Sequence, residues 1–142
     1  MSGSSLTNLR TLFLYVAILE FAYFIAAMMP PSYIEPITGW KLTPDGHWIV
    51  KLISVALLTQ AHTAWIFRHN PHIEVAKGLA FYQMASASVD ICMWYTMKED
   101  GIFDNDLAKT TVIGAIVSHY ILGILLIIGI RNHKHDKSSK SH

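Results

Sequence analysis

The sequence predicts an all-α integral membrane protein: a four-helix bundle running up-down-up-down, with both termini on the cytoplasmic (or equivalent) side. Three observations carry that prediction. Charged residues make up 15% of the 142 positions and hydrophobic ones 52%, against ~25% charge in a typical soluble domain. Four long apolar runs occur, each about the 18–20 residues needed to cross ~30 Å of hydrocarbon as a helix. The positive charges alternate from side to side between those runs.

The runs justify the elements in order, with helices expected at about 10–29, 48–68, 77–97 and 111–130 of one domain spanning 1–132, followed by a flexible basic tail over 133–142. In the first run Glu20 is the sole charge, and Pro30-Pro31 stops the helix because neither proline donates a backbone hydrogen bond. The stretch from Pro31 to Gly46 holds Pro36, Gly39, Pro44 and Gly46, and is expected as turns without an element of its own. Asp45 is positioned to cap the second helix, which carries Lys51, Gln60 and His62. Asn70-Pro71 closes the next turn. The third run carries Asp90 and the fourth only His119, so the fourth has no polar face that a water-soluble bundle would require.

Orientation follows from the cations. Arg10, Arg68, Lys77, Arg131, Lys134, Lys137 and Lys140 fall on one side, opposed only by Glu74 and Asp136. The other side carries Lys41, Lys98 and Lys109 against six acids. The first side is therefore cytoplasmic. Tyr33, Trp40, Trp48, Trp94 and Tyr95 mark the outer boundary, with Trp65 and Phe67 at the inner one.

Function has to be sought in the polar residues inside the spans. Counted from the cytoplasmic side, Glu20 lies about ten residues in, Asp90 about thirteen and His119 about twelve, one layer within ~5 Å. Their burial in hydrocarbon is costly: an Asp at a helix centre costs ~2.5–3.5 kcal/mol on insertion scales, while a Leu or Ile gives back only ~0.3–0.6. Proton sharing among the three, or pairing with an imidazolium, lowers that cost. Asp90, Glu20 and His119 are accordingly the candidate catalytic residues. Gln83 and Ser86 recur with Asp90 at i, i+3 and i+7 on one helical face. With His62 and Lys51 they are the candidate ligand-binding residues. Ala115 and Gly123 flank His119 by four residues and allow a neighbouring helix to approach.

Other chemistry is excluded or disfavoured. A net charge of +1 argues against nucleic acid as a partner. A single cysteine, Cys92, leaves no disulfide framework and no cysteine-based zinc site. Nucleotide-binding glycine motifs and the familiar hydrolase signatures do not occur. No metal is expected: the Glu-x-x-His pairs of carboxylate-bridged sites are missing, and His62 and His119 differ in depth by ~9 Å, too much for a bis-histidine haem. Bound lipid is the one small molecule the composition suggests. The sequence thus points to a non-catalytic accessory, assembly or scaffold subunit whose partners are the bilayer and other membrane subunits or copies of itself. The alternative is a small membrane enzyme or proton-coupled binding protein for a lipophilic molecule, centred on Glu20, Asp90 and His119.

Overall fold

A computed structural model describes residues 5–97 and 99–138. Among them the chain is all-helical: a 3-10 turn at Ser5–Thr7, then α1 (Leu9–Met28), α2 (Pro31–Thr38), α3 (Pro44–Phe67), α4 (Ile73–Met97) and α5 (Asp106–Ser138). Three of these, α1, α3 and α5, are long and apolar enough to cross a membrane. The helix α4 is long enough but falls short in apolarity, because Gln83, Ser86, Ser88 and Asp90 interrupt its apolar run.

Each boundary has a local cause. Asn8 caps α1, its side-chain oxygen accepting from the Arg10 amide at 2.9 Å. Thr43, rather than Asp45, caps α3: its hydroxyl accepts from the Gly46 amide at 3.2 Å, and Pro44 occupies the first helical position where no N–H is needed. Asp45 sits in the first turn, where its charge suits the helix dipole. For α4, His72 accepts from the Glu74 amide through Nδ1 at 3.3 Å.

The stretch expected as turns instead contains α2. Pro31 opens this helix at its first position and Gly39 ends it in the left-handed conformation, with φ +74°. Proline at the start and glycine just past the end are helix boundary signals as well as turn signals. An added Cβ at Gly39 would lie 2.6 Å from the Ala108 backbone nitrogen, so this position needs glycine for space as well as for φ. Asn105 fastens the junction: its Nδ2 donates to the Gly39 carbonyl at 2.7 Å, while its Oδ1 accepts from the Ala108 amide at 2.8 Å and caps α5. The tail expected from 133 onward is helical as far as Ser138, where α5 ends. The last four tail positions lie outside the described residues, and so does Met1–Ser4 at the other end.

Packing is pairwise. The helix α1 lies mainly against α3 and α4 mainly against α5, with a further α1–α5 contact joining the pairs. One apolar cluster draws Leu12, Phe13, Val16 and Ala17 from α1, Ala64 from α3, Ala76, Leu79 and Ala80 from α4, and Leu122 and Leu126 from α5. A second, at the other end, gathers Phe103, Ala108 and Val112 under Trp40, Met93 and Trp94. The outward faces are apolar too. Trp48, Ile49, Leu52, Ile53 and Val55 of α3 are all more than half exposed, a patch far larger than a monomeric soluble protein leaves to water.

Candidate functional site

The buried polar residues form a layer between the two apolar clusters. It begins where each helix changes from apolar to polar on its inward face. On α1 the buried series Leu9, Leu12, Phe13, Val16, Ala17 ends at Glu20. On α4 the series Ala76, Leu79, Ala80 leads to Gln83. On α5, His119 follows Leu126 and Leu122 in the reverse direction. Glu20 and Gln83 are fully buried and His119 is 4% exposed.

These three side chains form a hydrogen-bonded chain across three helices. Gln83 Nε2 donates to Glu20 Oε1 at 2.6 Å. His119 Nδ1 lies 2.6 Å from Gln83 Oε1. With the amide so oriented, His119 donates through Nδ1 and the chain runs imidazole to amide to carboxylate. His119 Nδ1 is 3.7 Å from Glu20 Oε1, too far for a direct hydrogen bond. Gln83 therefore joins the acid to the base. Glu20 Oε2 is buried with no hydrogen-bond partner.

Neighbouring contacts hold the layer in place. The Tyr23 ring sits 5.4 Å from the His119 ring, centroid to centroid. Its hydroxyl pairs with Ser118 Oγ at 2.9 Å, linking α1 to α5 a second time. Met84 and the Cβ of Gln83 pack against Gly123, so α4 and α5 approach closely one turn from His119.

The sequence places Glu20, Asp90 and His119 in one layer; the structure brings together Glu20 and His119, with Gln83 as the link. Asp90 is half-buried on α4 and makes no hydrogen bond or ion pair among the described residues. The packing of α4 against α1 and α5 sets the level: its hydrogen bonds put Gln83 beside Glu20 and His119, and Asp90 lies seven residues, roughly 10 Å, further along at ~1.5 Å per residue. Ser86 and Lys51 are half-buried and His62 is exposed, so the polar set of α3 does not turn inward as a unit. Only its Ser54 is fully buried, with Oγ donating to the Lys51 carbonyl at 2.6 Å. Tyr23 and Ser118 escape a reading of charge alone; the signal for Tyr23 is its place one turn after Glu20.

No group of three His, Cys, Asp or Glu side chains among the described residues is arranged to hold a metal ion. One surface groove is lined by Ser32, Glu35, Pro36, Gly39, Asn105 and Leu107, and another by Asn8, Leu9, Arg10, Asn70, Pro71 and His133. Neither reaches the polar layer. Fold and site together define an all-helical protein with three helices suited to crossing a membrane and a buried carboxylate–amide–imidazole chain. No family model matches the chain, and no curated protein or solved structure matches it either.

Proposed function

We propose that the protein is a four-span membrane protein, with α1, α3, α4 and α5 crossing up-down-up-down from a cytoplasmic amino terminus. In this reading it serves as a non-catalytic accessory, assembly or scaffold subunit of a larger membrane complex. Its partners are the bilayer and other membrane subunits or further copies of the chain.

The observation that carries the reading is the Glu20–Gln83–His119 chain, which spends its polar groups on holding three helices in register. Hydrogen bonds between membrane helices average only ~0.6 kcal/mol, but they decide which faces meet. The outward faces, by contrast, offer large apolar side chains to lipid or to other helices. For α4 as a fourth span, the support is its outward Phe81, Val89, Ile91 and Tyr95 and its length of 25 residues. For the alternating course, the support is that Asn8–Arg10, Asn70-Pro71 and His133 line one groove. The start of α1, the α3–α4 connection and the end of α5 thus meet at one end, where Arg10, Arg68 and Lys77 also gather.

Purification of the tagged full chain from native membranes in mild detergent tests this directly. Stable co-purifying membrane subunits, or a defined homo-oligomer, are expected. A lone monomer in every detergent overturns the scaffold reading.

One observation favours the rival reading, a small enzyme or proton-coupled binding protein for a lipophilic molecule. Glu20 Oε2 is buried and unpartnered, and such groups cost free energy unless they serve a purpose. Asp90 would then carry the proton, Glu20 would be its charge partner and His119 the acid–base group. Asp90→Asn and His119→Ala separate the two. Lost assembly at every pH supports the scaffold, and an assembled protein that fails to restore the function of a deletion strain supports the rival.

A further inference from the structure

The groove lined by Asn8, Leu9, Arg10, Asn70, Pro71 and His133 has a chemistry that the scaffold reading does not use. Three separate segments build it: the capped start of α1, the α3–α4 connection and the far part of α5. Among the described residues that line it, none is acidic. Arg10 is exposed and forms no ion pair among the described residues, whereas Arg68 and Lys77 at this end are engaged. Arg68 stacks its guanidinium 3.4 Å from the centroid of the Trp65 ring, and Lys77 pairs with Glu74 at 2.7 Å.

Several donors line the groove. Asn8 Oδ1 is consumed in capping α1, which leaves its Nδ2 as a donor. The Asn70 amide is exposed and no hydrogen bond occupies it among the described residues. His133 adds a ring nitrogen from α5. The positive end of the α1 dipole lies at the same place and favours an anion. A planar guanidinium fork with amide and imidazole donors around it matches a phosphate, whose several oxygens accept in different directions.

We propose that this groove binds a phosphate group, with Arg10 as the principal anchor and Asn8, Asn70 and His133 as supporting donors. The proposal rests on the topology proposed above, which sets the groove at headgroup depth on the cytoplasmic face, where anionic lipids concentrate. The phosphate source is then an anionic lipid headgroup; a soluble phosphate has the same chemistry and is distinguished by experiment.

The full chain is reconstituted in phosphatidylcholine bilayers containing spin-labelled phosphatidylglycerol, and the motionally restricted fraction is compared with that of spin-labelled phosphatidylcholine. The wild type is expected to prefer phosphatidylglycerol. Arg10→Gln is expected to reduce that preference about five-fold, the equivalent of ~1 kcal/mol for one basic residue at an anionic surface. Asn70→Ala should reduce it less, and Lys77→Gln, outside the groove, should leave the groove-dependent part intact. Arg10→Lys keeps the charge and loses the fork; a partial loss there supports the assignment even if Arg10→Gln does not insert.

In the second arm, inorganic phosphate is titrated against the detergent-solubilised protein. Arg10-dependent phosphate binding without lipid preference supports the site and gives it to a soluble ligand. If Arg10→Gln, Arg10→Lys and Asn70→Ala all match the wild type in both arms, the site is refuted. Membrane insertion is scored separately by carbonate extraction. A chain that fails to stay in the bilayer breaks the topology reading, whereas an inserted chain with no Arg10 effect breaks only the groove assignment.

Discussion

Replacing Gln83 by leucine removes the middle of the chain that joins α1, α4 and α5 while roughly keeping side-chain volume. Two interhelical hydrogen bonds are lost, one to Glu20 Oε1 and one to His119 Nδ1. Counted as bonds alone, they amount to ~1.2 kcal/mol at the ~0.6 kcal/mol average for membrane helices. The larger effect is what remains. Glu20 is fully buried and Oε2 already has no partner, so the whole carboxyl group is left without a hydrogen bond, and His119 Nδ1 is left as well. Each unsatisfied buried group costs ~1–3 kcal/mol. Gln83→Leu should therefore destabilise the protein by ~2–6 kcal/mol. The triple variant Glu20→Leu, Gln83→Leu, His119→Leu removes the polar groups together and should cost less than the single one, because no group is left stranded. Reversible unfolding in detergent micelles, followed by circular dichroism, measures both. A Gln83→Leu effect within about 0.5 kcal/mol of zero, the usual range for a surface change, would refute the network, as would a triple variant less stable than the single.

Four further outcomes, one with a matched control, are expected in the same assay. Gly39→Ala should cost at least ~2 kcal/mol, since alanine at positive φ is strained and its Cβ meets the Ala108 backbone. Asn105→Ala, which removes both the α5 cap and the bond to Gly39, should cost ~1–2 kcal/mol and speed hydrogen exchange across α2. Gly129→Ala should destabilise by ~1–3 kcal/mol, because the new Cβ would lie 2.9 Å from the Thr7 carbonyl oxygen and 2.8 Å from Leu12. Gly114→Ala meets nothing within 4 Å and should instead gain up to ~1 kcal/mol of helix propensity, a matched control for the crowded position. Ser118→Ala should cost only ~0.6 kcal/mol, the average for one interhelical bond, since Tyr23 keeps its ring contact with His119.

The long helices were legible in the sequence because their signals are local. Apolar runs of spanning length, with few polar residues inside them and proline or asparagine near their ends, predict helices close to α1, α3, α4 and α5. The short α2 was not legible, since Pro31 and Gly39 mark a turn or a helix equally well. What decides for the helix is distant: Asn105, which caps α5, and Ala108 on α5 receive its end.

The candidate site divides in the same way. That Glu20 and His119 would be buried polar residues follows from composition and spacing, because turning inward spares an ionisable side chain in an apolar span the cost of facing lipid. Which third residue meets them does not follow, because it depends on how α4 packs against α1 and α5. That packing puts Gln83 in the layer and leaves Asp90 roughly 10 Å further along the axis. The sequence by itself determined that the chain is helical, with long apolar runs, four by its own count, and with acid and imidazole inside them; three of the helices that form are apolar enough for a bilayer. Only the tertiary structure decided that an amide stands between the two, that Asp90 remains outside, and that three chain segments meet in one groove beside Arg10. Hydropathy is summed along one segment, whereas the register between helices is a property of the packed assembly.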